Sequence, residues 1–257
     1  MRDPKHILIT GASSGLGAEL ARTYAAPGVT LALTGRDAAR LEAVAQQCRA
    51  KDATVEAAVL DVTDAAALAG WMLERDDAQP IDLVLANAGI SAGTGGDTEP
   101  VEQVRRIFAV NVDGVMNTVL PLIPRMQARR RGQIALMASM AGFRGFPGAP
   151  AYCGSKAAVK IYGEGLRGML AGSGVEVSVV CPGYVRTPMT DRNGFPMPFL
   201  MEAGKAARII RNGLTRNKAR IAFPLPTLAA VWLLQALSPG LIDPLMRRLP
   251  SKSIDAG

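Results

Sequence analysis

The chain has 257 residues, 49% of them hydrophobic, a formal net charge of +7 and one histidine, His6. A single histidine excludes a His-rich metal site and a Ser-His-Asp triad, so no metal ligands are assigned. The positive charge invites a nucleic-acid partner, but Arg129-Arg130-Arg131 beside Gly132 is its only tight run and fits a helix end, so no nucleic acid is expected.

Length and composition predict one domain over 1–257. Cys48, Cys153 and Cys181 have no C-x-x-C spacing and are read as reduced thiols of a cytoplasmic protein. No signal-type apolar stretch precedes the first strand, at 6–10. Directly behind it, Gly11, Gly15 and Gly17 open a helix over 15–26. Such a turn brings backbone N–H groups and a helix dipole to a pyrophosphate, though glycine-rich turns also serve only to pack a helix on a sheet. Further strands are predicted over 30–34, 54–60, 83–87, 133–139, 176–181 and 220–223, with helices over 38–51, 64–74, 101–126, 151–170 and 205–212. This alternation predicts an α/β protein: a Rossmann-type, doubly wound parallel sheet of about seven strands with helices on both faces.

Residues 91–96 have the composition of a mobile connection. Within the helix over 151–170, Tyr152 and Lys156 are four residues apart and share a face, about 6 Å from each other. A cation there lowers the cost of a phenolate and makes the phenol usable as a proton donor or acceptor. The pair suits ketone reduction or alcohol oxidation. Residues 182–204 hold four prolines, Met189, Met197, Met201, Phe195 and Phe199, which suits a substrate lid over about 188–204 or an irregular packing loop.

With Asp61-Val62, Asn87-Ala88-Gly89, Asn111, Ser139, Pro182-Gly183 and Thr187 in this order, the chain resembles the short-chain dehydrogenase/reductase family over almost its whole length. The resemblance implies a catalytic set of Ser139, Tyr152, Lys156 and Asn111. In it Tyr152 is the general acid or base, Lys156 lowers the tyrosine pKa and bonds the nicotinamide ribose, Ser139 holds the carbonyl oxygen, and Asn111 supports a water relay behind the lysine. It also implies that Gly11, Ser13, Ser14, Gly15, Leu16 and Gly17 cradle the cofactor, that Asp61 and Val62 hold the adenine, and that Asn87, Ala88 and Gly89 set backbone beside it. Tyr152 and Lys156, with Pro182, Gly183, Val185 and Thr187, complete the cofactor site around the nicotinamide and pyrophosphate. At the end of the second strand an NAD enzyme commonly places an acid; here stand Gly35 and Arg36. A guanidinium takes a 2′-phosphate bidentately, so NADP(H) is favoured over NAD(H). Ser14 stands where many NADP-preferring relatives carry a second basic residue, and Asp37 either competes for Arg36 or caps the next helix.

From Ala222 to Ile242 no residue is charged, and the apolar tail extends over about 222–249. Pro224, Pro226 and Pro239 break it, leaving a helix of about 227–237, too short to cross a bilayer. Trp232 with basic flanks suits peripheral membrane contact; a cover for the substrate cleft and a subunit contact are equally physical. The Met-rich lid and apolar tail point to a lipophilic substrate. The expectation is an NADP(H)-dependent carbonyl reductase or alcohol dehydrogenase, a homodimer or homotetramer joined through the helices over 101–126 and 151–170. A nucleotide-sensing protein without turnover and a nucleotide-sugar epimerase or dehydratase are the alternatives.

Overall fold

The computed structural model describes residues 3–246 and Lys252. Arg247-Arg248, in the basic flank that follows the apolar segment, and the end of the predicted tail lie outside the described residues. Seven parallel strands form one sheet in the order β3-β2-β1-β4-β5-β6-β7: β1 (His6–Thr10), β2 (Thr30–Gly35), β3 (Thr54–Val59), β4 (Leu83–Ala86), β5 (Gly132–Met137), β6 (Val175–Pro182) and β7 (Arg220–Phe223).

Because successive strand side chains point to opposite faces, the central strands feed two cores. Ile7 and Ile9 of β1, Leu83 and Leu85 of β4, and Ala135 and Met137 of β5 pack with α1 (Gly15–Tyr24), α2 (Ala38–Arg49) and α9 (Ala203–Thr215). Leu8, Val84, Ala86, Ile134 and Leu136 point the other way, toward α3 (Ala65–Ala78), α4 (Val101–Phe108), α5 (Gly114–Val119), α6 (Ile123–Ala128) and α7 (Pro150–Met169). Each fully buried leucine or isoleucine contributes about 1.5–3 kcal/mol. Asp37 caps α2 by accepting from Arg40 N (2.9 Å), and Asp64 caps α3 by accepting from Ala67 N (3.0 Å).

Three sequence expectations need correction. The single helix over 101–126 is broken: a π-helical segment, Ala109–Asp113, separates α4 from α5, and α6 starts after a turn. Pro121 has no N–H to continue α5, and Pro124 lies in the first turn of α6, where a missing N–H costs nothing. The stretch Val101–Ala128 is long and apolar enough to span a bilayer by length and composition, yet half of its most apolar part is buried in the protein. In the tail, Pro226 starts a helix instead of breaking one: α10 is Leu225–Ala236, and a further helix, α11 (Pro239–Met246), follows. The segment over 91–96 is also fastened, through Thr94 N to Gly148 O (3.1 Å), Gly95 N to Lys252 O (2.8 Å) and Gln103 Nε2 to Gly93 O (3.0 Å).

Strand order reverses between β1 and β4, so the loops at their carboxyl ends splay apart and open a crevice. The glycine turn after β1 and the loop after β4 form its sides.

Candidate active site

The crevice is a cleft of about 300 Å³. Residues 11, 13–17, 35, 36, 61, 62, 87–89, 182, 183, 185 and 187 line it together with Ser139, Tyr152 and Lys156. The structure thus brings together every residue assigned from the sequence except Asn111, which is fully buried behind the wall. Arg40, Val110 and Met137 also line the cleft and escaped the sequence reading, while Pro188, Met189 and Thr190 line it from the segment expected to be a lid.

The glycine turn is tight because it must be. Gly11 and Gly15 have φ of +67° and +55°, the left-handed region that glycine enters at little cost. A Cβ on Gly17 would lie 2.2 Å from Gly11 O and 2.5 Å from Asn87 Nδ2, so helix α1 can start this close to the strand end only without one. Asn87 Nδ2 in turn donates to Thr10 O (3.0 Å) and Gly11 O (3.3 Å), while the Thr10 hydroxyl accepts from Asn87 N (3.1 Å) and Ala88 N (3.2 Å). The Asn87 side chain therefore clamps the turn, and the backbone of residues 87–89 faces the cleft. Thr187 sits over the loop, its Cγ2 3.1 Å from where a Gly15 Cβ would stand, and also caps the short helix α8 (Pro188–Asp191).

At the end formed by β2 and β3, Asp37 pairs with Arg40 (2.7 Å) instead of Arg36, which settles the choice between competing and capping. The Arg40 backbone hydrogen bond is the largest cause holding the Asp37 carboxyl below its ordinary range. Arg36 is exposed at the cleft edge and contributes to lowering the Asp61 pKa; burial there opposes hydrogen bonds from Thr63 N (2.9 Å) and Oγ1 (2.8 Å). Ser13 Cβ and Oγ would lie 3.0 Å from a Cβ on Gly35, so this wall holds no longer side chain without displacing the glycine turn.

At the other end, Ser139 closes β5 and caps a 3₁₀ turn, Met140–Gly142, by accepting from Ala141 N (3.1 Å). Tyr152 and Lys156 project from the first turns of α7, with Lys156 Nζ 5.9 Å from the tyrosine ring centroid and donating to Met137 O (2.9 Å). The expected lowering of the tyrosine pKa by Lys156 is not what this environment produces. Burial is the largest influence on both groups: it pushes Tyr152 up to about 12, against a lowering hydrogen bond from Ser139, and Lys156 down to about 8. Lys156 stays mostly charged at neutral pH, but burial of the phenol outweighs what its neighbours do to lower the tyrosine pKa.

Asn111, in the π-helical segment, accepts from Ile90 N (2.8 Å) and donates to Ile90 O (3.0 Å) and Ser155 Oγ (3.0 Å). Ser155 Oγ donates to Tyr152 O (2.8 Å). The position assigned to a water relay thus also ties the loop after β4 to α7. The segment expected to be a lid is fixed at its stem by Arg186 N to Met201 O (2.8 Å) and Met201 N to Tyr184 O (3.0 Å).

Two glycines at positive φ, a helix N-terminus, the acid Asp61 with two arginines at one end, and Lys156 with a hydroxyl pair at the other fit a nicotinamide dinucleotide lying across the strand ends. A family model described as short chain dehydrogenase matches residues 5–195. An uncharacterized oxidoreductase of Myxococcus xanthus is 40% identical over 243 residues, covering 94% of this chain and 96% of the relative. Bovine (Bos taurus) dehydrogenase/reductase SDR family member 7B is 31% identical over 264 residues, covering 93% and 79%. A short-chain dehydrogenase from Sphingobium yanoikuyae in complex with NADPH superposes with a TM-score of 0.80 at 30% identity, covering 95% of this chain and 96% of that one. A family member from Burkholderia phymatum in complex with NAD gives 0.81 at 26% identity, covering 98% of each. Motif order, cleft and relatives agree: the chain belongs to the short-chain dehydrogenase/reductase family, oxidoreductases acting on CH–OH and C=O groups.

Proposed function

We propose that this protein is an NADP(H)-dependent reductase of lipophilic ketones or aldehydes, and the dehydrogenase of the matching alcohols, with Tyr152 as general acid and base. The observation that carries the reading is the convergence of Ser139, Tyr152 and Lys156 on one end of a cleft whose other end holds the glycine turn and Arg36.

The nicotinamide, when bound, supplies or accepts the hydride. A carbonyl oxygen that gains electron density needs a proton in the same step. Tyr152, kept protonated by burial, is the donor; its O–H bond breaks as the new alcohol O–H forms. Ser139 holds that oxygen in line, and Lys156 stabilises the phenolate left behind and contacts the ribose. Asn111 supports the relay behind Lys156; a Cβ on Gly89 would approach both, at 3.1 Å from Asn111 Oδ1 and 3.2 Å from Lys156 Nζ.

The NADP preference is supported by Arg36 and Arg40 together at the ribose end and by the absence of an acid at Gly35. The lipophilic substrate is supported by the lid, where Tyr184 and Phe195 stack edge to face at 6.2 Å and Met189 and Phe199 are exposed. Leu225, Trp232, Leu233 and Leu241 on α10 and α11 are more than half exposed, which supports peripheral membrane contact. Phe108, Leu120, Ile161 and Met169 on the central helices support a homodimer or homotetramer. The proposal also includes a single domain over the whole chain.

The test is oxidation of NADPH and of NADH by the purified protein against carbonyl compounds of increasing alkyl length, with Tyr152→Phe in parallel. Faster turnover with NADPH, rising with chain length and lost in the variant, is the expected result. Cofactor binding with no turnover on any of them would instead favour a nucleotide-sensing protein.

A further inference from the structure

Lys252 comes back to the catalytic tyrosine. Its Nζ lies 4.7 Å from the Tyr152 ring centroid, nearer than that of Lys156, and donates to Ser91 Oγ (2.7 Å). Its backbone is seated as well: Lys252 O accepts from Gly95 N (2.8 Å), and a Cβ on Gly93 would stand 2.4 Å from Lys252 Cβ. Only a glycine at 93 lets the tail lie this close to the loop after β4.

The surroundings make this an unusual place for a lysine. Burial lowers its pKa, and the one charge coupled to it is the Cys153 thiolate form. Among the described residues no carboxylate forms an ion pair with it, whereas Lys160, on the same helix as Tyr152, has Glu164. A half-buried ammonium with no carboxylate paired to it among the described residues is costly and is retained where it serves the site. The groups facing Tyr152 are Lys156 and Cys153 from α7, the Ser139 hydroxyl from the end of β5, Tyr184 from the lid stem and Lys252 from the tail. Glu99 is turned to the start of α7, where its Oε2 accepts from Ala151 N (2.9 Å), and it acts on Cys153. Among the described residues, the two lysines are thus the only cations of the set, and Lys156 is engaged with Met137 O.

We propose that Lys252 is a positioning residue of the active site, an ammonium carried by the C-terminal tail onto the ring of Tyr152, where it stabilises the phenolate left when the proton passes to the substrate. The inference rests on Tyr152 as the proton donor. An opposite charge within about 4–6 Å of a titrating atom shifts its titration by roughly one to three pH units, and Nζ at 4.7 Å from the ring centroid places Lys252 for the lower end of that range. Alcohol oxidation requires the phenolate, so removing the cation moves the rising limb of that reaction to higher pH.

The experiment compares full-length Lys252→Met and Lys252→Arg with the unaltered protein, following kcat/KM for oxidation of a neutral alcohol with NADP across neutral to alkaline pH. The expected result is an alkaline displacement of the limb by about one pH unit in Lys252→Met, its restoration in Lys252→Arg, and an unchanged KM for NADP. Ser91→Ala, which frees the ammonium without altering the tail, should displace the limb the same way by less; it stands in should Lys252→Met fail to fold. A profile in Lys252→Met that overlays the unaltered one overturns the proposal. So does a loss confined to carboxylate-bearing substrates with the neutral profile unmoved, which would make Lys252 a substrate anchor. Turnover surviving in Tyr152→Phe would overturn the proton-donor reading itself, an outcome distinct from either.

Discussion

Replacing Lys156 by methionine should stabilise the fold at neutral pH while abolishing turnover. Lys156 is 4% exposed, and burial takes its pKa from an ordinary 10.5 to about 8. The group is depressed in the folded chain, so between about pH 8 and 10.5 the unfolded chain holds a proton that the folded one has lost. Stability therefore rises with pH across this window, and below pH 8 the full penalty of a buried charge is present. About 2.5 pH units at about 1.36 kcal/mol each make that penalty about 3 kcal/mol. Methionine removes it and forfeits the hydrogen bond to Met137 O, about 1 kcal/mol, leaving a net gain of about 2 kcal/mol at pH 7. The assay is urea unfolding of both chains at pH 7 and near pH 10.5, where the gain should vanish. Tyr152, raised to about 12, loses stability above pH 10 in both chains alike, so the difference isolates Lys156. A variant less stable at pH 7, or a gain equal at both pH values, would refute the reasoning.

Three further outcomes follow from the same geometry. Gly17→Ala places a methyl 2.2 Å from Gly11 O; unfolding should show a loss of about 1–3 kcal/mol, and equilibrium dialysis should show weakened dinucleotide binding. Arg36→Ala should raise KM for NADPH about tenfold, one charge-assisted contact, and leave NADH kinetics unchanged. Asn111→Leu strands Ile90 N and Ile90 O and leaves Ser155 Oγ only its bond to Tyr152 O, costing about 3 kcal/mol by chemical denaturation, with kcat falling further than the cofactor KM changes.

The sheet was legible because buried parallel strands are short apolar runs, and β1 and β7 fall on the predicted residues. The glycine turn, Ser139, Tyr152 and Lys156 were legible because their chemistry restricts residue type at fixed spacing. What escaped depends on distance in space. An apolar stretch over 101–126 has the same helical period whether or not a π-helical segment interrupts it, and only the inward hydrogen bonds of Asn111 explain the interruption. Lys252 carries no motif and is separated from Tyr152 by the last two helices, so nothing in its neighbourhood along the chain marks it. The sign of the pKa shifts was missed for a related reason: spacing shows that a cation and a phenol meet, whereas burial decides which protonation state each prefers.

That last point bears on how the site keeps its shape. The buried ammonium of Lys156 works against folding, so other contacts must hold the chemistry in register. The chain of hydrogen bonds from Ile90 through Asn111 and Ser155 to the Tyr152 carbonyl crosses from the β4 loop to α7, and Glu99 fixes the first turn of the same helix through Ala151 N. None of these groups needs to touch a substrate. Their placement sets Tyr152, the proposed proton donor on α7, relative to Ser139 at the end of β5, and a shift of about 1 Å in such a relation is enough to cost about a hundredfold in rate. Asn111 and Ser155 are accordingly fully buried while the reacting side chains line the cleft, because polar groups that fix a geometry work best where water cannot compete for their hydrogen bonds.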